Sequence, residues 1–189
     1  WLVSMNIKSI DAKTGNLAPF TISADKDLYL RGNIYSTALT LKGKKTGMLC
    51  LTGDNTPVDK ISGFGRVAID GKVKILKSFS TDYLALSFAA DLTIPSGVKI
   101  SAKYVYATQY NGSMPCIRLE NGFKPITVSK GLSIDGKLLV YPNSDVASNS
   151  VLFSSSFAYD GDILTKFEVN GYTLNINNKK IVLAKSTTL

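Results

Sequence analysis

One short turn unit constrains this chain more than any other feature, because the chain uses it repeatedly. Ile69-Asp70-Gly71-Lys72 stands between Arg66-Val67-Ala68 and Val73-Lys74-Ile75. Ile134-Asp135-Gly136-Lys137 stands between Gly131-Leu132-Ser133 and Leu138-Leu139-Val140. A looser third copy, Ile176-Asn177-Asn178-Lys179-Lys180, precedes Ile181-Val182-Leu183. Asp-Gly and Asn-Asn tolerate positive φ, and alternating apolar residues flank each unit, so each reads as a β-hairpin. Hydrophobic phase then fixes the loop parity. Val67 and Ile69 must share a face with Val73 and Ile75, which requires an odd loop, since a one-residue slip turns the pattern inside out. A three-residue loop with Gly71 in the left-handed region and a bulge satisfies this, and Leu132 and Ile134 against Leu138 and Val140 demand the same. The third unit pairs Tyr172, Leu174 and Ile176 with Ile181 and Leu183, so it needs an even loop, with Asn177-Asn178 as the turn.

Further strand-like segments follow at intervals of about 8–12 residues, the spacing of a sandwich or barrel. They include Leu28–Arg31, Met48–Thr52, Tyr83–Ala90, Val98–Thr108 and Val151–Ala158. Alternation puts Leu84, Leu86, Phe88 and Ala90 on one face, with a helix starting at Ser80 as the competing reading. In the next segment Val98, Ile100, Ala102, Tyr104 and Tyr106 are expected to face inward, and Lys99, Ser101 and Lys103 outward. The expected fold is all-β, an antiparallel β-sandwich of jelly-roll or Greek-key type with multiple short hairpins. A single domain over residues 1–189 is favoured. Glu120–Lys130 is the candidate subdivision, because residues 1–130 hold 17 Lys/Arg against 9 Asp/Glu while residues 131–189 hold 5 of each. A C-terminal piece that small would be marginal alone.

No histidine occurs in the 189 residues, which removes Ser-His-Asp and Cys-His nucleophiles and histidine metal sites. Ser23-Ala24-Asp25-Lys26 and Ser96-Gly97-Val98-Lys99 match a serine–lysine pattern, but that chemistry needs a helix start. Ser23 lies in a β-like stretch and Ser96 between Pro95 and Gly97. Among Glu120, Glu168, Asp160 and Asp162 no spacing singles out a catalytic pair. Asp160-Gly161-Asp162 and Asp25-Lys26-Asp27 read as turns rather than calcium ligands. No catalytic role, cofactor or metal is expected. Cys50 and Cys116 sit in apolar contexts and read as buried free thiols, with a disulfide as the alternative if the protein matures outside the cytosol.

The net charge is +8, yet only Arg31, Arg66 and Arg118 among the 22 cations are arginine. Nucleic-acid recognition leans on arginine's fork, so nucleic acid is disfavoured as a partner. The lysines read as solubilising groups that block edge-to-edge pairing. For an anionic partner, Lys42, Lys44 and Lys45 are the expected contacts, with Lys72 and Lys74. For a receptor or glycan, the loop residues Tyr110, Asn111, Asn143, Asp145, Asn149 and Tyr159 are the expected contacts. No apolar run approaches the length of a membrane span. These readings point to a non-enzymatic structural or receptor-binding subunit of an extracellular or virion assembly. A phage or viral tail-fibre, appendage or capsid-associated protein fits, self-associating as a homo-oligomer such as a trimer and meeting other assembly subunits. The alternative is a secreted carbohydrate-binding or fimbria-like adhesin module at the cell surface.

Overall fold

Alternating apolar residues give most of the described strands one oily face, and in the computed structural model these faces turn toward a shared core. The structure describes residues 3–10, 20–34, 39–53 and 56–186. Numbered along the chain, the strands build three sheets. The largest contains β1 (Val3–Ile10), β3 (Leu28–Ile34), β5 (Met48–Thr52), β8 (Arg66–Ile69), β10 (Phe79–Leu86), β12 (Ile100–Thr108), β14 (Ile126–Asp135) and β16 (Ser150–Ser155). All seven pairings among these eight strands are parallel. A second parallel sheet holds β6 (Thr56–Val58), β9 (Lys72–Ile75), β11 (Asp91–Ile94), β13 (Cys116–Leu119), β15 (Leu138–Pro142) and β17 (Phe167–Val169). The third is a short parallel sheet of β2 (Phe20–Ser23), β4 (Leu39–Lys42) and β7 (Lys60–Ser62).

The chain passes from the large sheet to the second sheet and returns one rung further on, as in β8–β9–β10–β11–β12. This is a parallel β-solenoid. Leu49, Val67, Leu84, Val105 and Leu132 occupy the same register position on successive rungs, so those rungs take 18, 17, 21 and 27 residues. At the C-terminal side β18 (Tyr172–Asn177) and β19 (Lys180–Lys185) form an antiparallel hairpin, and β19 pairs antiparallel with β16.

The expected antiparallel sandwich or jelly roll is therefore overturned. Parallel sheets are usually covered on both faces and read as continuous apolar runs, whereas one-sided burial gives the alternation that suggests antiparallel pairing. A solenoid buries one face of each parallel sheet and wets the other, so its strands alternate too. Parallel neighbours need a long return connection, and here the rest of the rung supplies it. Asp70-Gly71 and Asp135-Gly136 are consequently corners between sheets, not hairpin turns. The parity still holds, because Val67, Ile69, Val73 and Ile75 are all buried. Gly71 is not in the left-handed region. It is glycine because a Cβ there would lie 2.6 Å from both the backbone N and O of Gly53 on the preceding rung. Gly136 does take the left-handed conformation, at φ 82°. The third unit is a hairpin with the expected even loop, placed one residue later at Asn178-Lys179, both at positive φ.

Stacking turns the alternation into ladders. Leu28, Leu49, Val67, Leu84 and Val105 form one buried column under the large sheet, and Leu30, Leu51, Ile69, Leu86 and Ala107 a second. Val73, Leu92, Ile117 and Val140 answer them from the second sheet. Each large aliphatic side chain so buried contributes about 1.5–3 kcal/mol. The large sheet runs without interruption through β12, β14 and β16, across residues 120–130. Cys50 and Cys116 are free thiols on different sheets, in β5 and β13. Burial, then the Asp91 carboxylate, pushes the Cys116 thiol up to about 12.

Candidate functional site

The outer face of the large sheet carries ladders of its own. Met48, Arg66, Tyr83, Tyr104 and Gly131 share one register position, and Tyr29, Cys50, Ala68, Ala85, Tyr106 and Ser133 another. The rings of Tyr83 and Tyr104 stack at 5.0 Å between centroids, and Tyr106 lies 6.2 and 6.3 Å from them with its plane within 18° of both. The Arg66 guanidinium sits 5.4 Å from the Tyr83 centroid and closes that end of the column. At the other end a Cβ on Gly131 would come within 3.2 Å of the Tyr104 ring, so glycine lets the ring lie against the backbone. Along the same two rungs Phe88 and Tyr110 pair at 5.5 Å. Phe88, Tyr106 and Tyr110 are 43%, 42% and 58% exposed. Five aromatic rings thus occupy adjacent rungs in a strip about 20 Å long.

Tyr104 and Tyr106 were expected inward, and the structure turns both outward. Alternation breaks in the middle of the strand. Ile100 and Ala102 point in, Lys103 and Tyr104 are not buried, and Val105 and Ala107 point in again. Asp82 and Tyr83 repeat the break on β10, between buried Thr81 and Leu84. The backbone bend is held by paired donors: Asp82 and Tyr83 N–H both donate to the Gly65 carbonyl, at 3.1 and 3.0 Å. Gly65 and Arg66 N–H donate likewise to Gly47, at 3.2 and 3.3 Å. Gly65 admits no side chain, because a Cβ would lie 1.9 Å from the Lys45 carbonyl oxygen. Phe88 also departs from the expected face, since it falls in the turn after β10 while Leu84, Leu86 and Ala90 stay buried.

Across the bend lies a groove of about 620 Å³. Ser80, Ser101, Thr127 and Ser154 project into it from β10, β12, β14 and β16, in register on four consecutive rungs. Ser101 Oγ and Thr127 Oγ1 are 2.8 Å apart, and Thr127 Oγ1 also donates to the Ile100 carbonyl at 3.3 Å. Ser129 and Ser156 extend the hydroxyl lining. Lys45 and Lys103 flank it, both facing the Asp82 carboxylate, at 3.9 and 3.0 Å. A smaller hollow beyond the bend, lined by Arg66 and Tyr83, meets the groove at Lys45, Gly65 and Asp82.

No protein-family model, curated protein or solved structure matches this chain.

The structure distributes the expected contact residues over several places. Tyr110 and Asn111 lie at the C-terminal end of β12, in a tight turn with Asn111 at φ 47°, and Tyr110 joins the aromatic strip. Asn143, Asp145 and Asn149 are exposed on the connection from β15 into β16, at the opposite ends of the strands. Their loop is tied down by the Tyr172 hydroxyl, which donates to the Val146 carbonyl at 2.7 Å. Tyr159 packs edge-on against Phe157 at 5.6 Å, its hydroxyl buried with no hydrogen-bond partner among the described residues, and burial raises its pKa. Lys42 is exposed on β4, Lys44 pairs with Asp25 at 2.8 Å, and Lys45 borders the groove. Lys44 holds the Asp25 carboxyl below its usual range through a hydrogen bond and its charge. Sequence reading missed Tyr83, Phe88, Lys103 and the hydroxyl ladder. The one signal for the outward tyrosines was the phase change itself, in which buried positions run 100, 102, 105, 107.

Proposed function

We propose that this chain is a non-enzymatic, receptor-binding structural segment of an extracellular or virion-borne assembly, such as a fibre or appendage, that works as a homo-oligomer. The observation that carries this reading is the strip of five aromatic rings on the outer face of a stacked scaffold. Exposed aromatic surface of that kind marks interaction sites, and rigid rings bind at low cost in conformational entropy. Solenoids present such patches on extended surfaces whose rungs fix one another in place. Fold by itself does not assign function, so the strip rather than the solenoid bears the weight.

The test uses the fluorescently labelled chain and its F88S/Y106S/Y110S variant on arrays of surface proteins and neutral cell-surface glycans, with light scattering for solution mass. Attachment by the wild type, its loss in the variant at an unchanged unfolding midpoint, and a trimer or larger closed ring are expected. Equal attachment by both proteins refutes the strip as the contact surface. A monomer that attaches through the groove favours the second reading, an isolated carbohydrate-binding or adhesin module, to which the hydroxyl ladder points.

A further inference from the structure

From the hydroxyl ladder and its lysine border, we infer that the groove binds an acidic polysaccharide laid along the solenoid axis. The inference rests on the reading of the chain as a surface-ligand binder and assigns that ligand a second site and a chemical class. Ser80, Ser101, Thr127 and Ser154 repeat at the strand spacing of about 4.8 Å, close to the rise of one sugar in an extended chain. Ser80 and Ser154 have hydroxyls that can both donate and accept, the capacity a sugar hydroxyl needs in a partner, while Ser101 and Thr127, whose protons are engaged within their pair and with the Ile100 carbonyl, add acceptor lone pairs. Their spacing is set by main-chain ladders, so the row is organised before a ligand arrives and little ordering remains to be done on binding.

Charge selects among glycans. Asp82 is a single carboxylate facing both Lys45 and Lys103, which leaves excess positive charge at the bend. Lys130 is exposed at the corresponding bend of the next rung. A carboxylated or sulfated chain gains from that border, and a neutral chain does not. Where the chain passes the bend it meets Tyr83 and Arg66, an aromatic face beside a guanidinium. The row of neutral hydroxyls separates this from a nucleic-acid site, which would place cations along the whole backbone track.

Titration calorimetry on the full chain tests the proposal, with oligomers of polygalacturonate and alginate, with heparin, with neutral cellohexaose and dextran, and with oligothymidylate. At least one acidic glycan is expected to bind, more weakly as salt rises. Ser101→Val with Thr127→Val should weaken it about tenfold, and Lys103→Gln about threefold with a shallower salt dependence. Should the valine pair fail to fold, Ser80→Ala with Ser154→Ala removes the outer hydroxyls and should weaken binding in the same direction. The F88S/Y106S/Y110S variant should bind the glycan like the wild type. Binding by none of the acidic glycans, equal binding of a neutral glycan or of oligothymidylate, or groove variants that bind like the wild type would overturn the inference. Attachment that depends on the strip alone, with the groove silent, would leave the proposed receptor-binding function standing and remove only this site.

Discussion

Ala68→Cys should create a cross-link that the in-register stacking of β5 on β8 permits. Cys50 on β5 and Ala68 on β8 occupy the same register position and both project from the outer face of the large sheet, between buried neighbours. Adjacent strands place their Cα atoms about 4.8 Å apart, inside the window of about 4.4–6.8 Å that a disulfide spans. The bridge would close a loop of about 18 residues, for which the chain-entropy relation gives about 3 kcal/mol. Drawing the two Cβ atoms together costs part of that, so a net gain of about 2 kcal/mol is expected. Burial raises the Cys50 pKa, so the oxidation should be run above neutral pH to populate the thiolate. Peptide mapping under non-reducing conditions identifies the bridge, and urea unfolding with and without reductant gives its stabilisation. Cys116 is buried on another sheet and should not compete. If both thiols alkylate readily in the folded variant but no intramolecular bridge forms, the parallel pairing of β5 with β8 is wrong.

Three further outcomes follow from particular contacts. Leu84→Ala, in the middle of a fully buried column, should cost about 3–5 kcal/mol in urea unfolding, because neighbouring rungs hold the cavity open, whereas Leu174→Ala on the terminal hairpin should cost about 1–2 kcal/mol. Gly65→Ala should cost about 3 kcal/mol or more, since its Cβ would overlap the Lys45 carbonyl, and a thermal midpoint equal to that of the wild type would remove the bend from the account. Burial raises the Tyr172 pKa above its ordinary value of 10, so the folded state keeps that proton longer than the unfolded chain. Its stabilisation is complete below the ordinary pKa and is lost as pH rises through the folded value. Urea midpoints taken from about pH 9 to about pH 11 should fall, and Tyr172→Phe should lower the neutral-pH midpoint slightly while flattening that fall.

Strand content and inward faces were legible in the sequence because period-two alternation reports burial whichever way the strands pair. Val67, Ile69, Val73 and Ile75 share the core as their parity requires. What alternation cannot report is the partner. Asp70-Gly71 carries the residues of a hairpin turn, yet the strands it joins lie in different sheets, and only the third dimension shows the close approach to Gly53 that demands glycine. Asn178-Lys179 has a similar local chemistry and does make a hairpin, since Leu174 faces Leu183 and Ile176 faces Ile181. The site was less legible than the fold. Ser80, Ser101, Thr127 and Ser154 stand 21, 26 and 27 positions apart, so no fixed period exposes them as a row. Tyr104 and Tyr106 were misplaced because one alternation was carried through a strand that changes phase at Lys103.

Rungs of 17 to 27 residues stack in one register because the surplus is taken up where the chain leaves or re-enters a sheet. The segment from Gln109 to Pro115, which carries Tyr110, is one such excursion, and the segment from Asn143 to Asn149 is another. Lengthening or exchanging Tyr110–Met114, none of which is buried, leaves the columns beneath untouched, whereas the second segment contributes Val146 to the core. The chain can therefore change what it displays at that corner without renegotiating how it folds, so surface and stability can vary separately there.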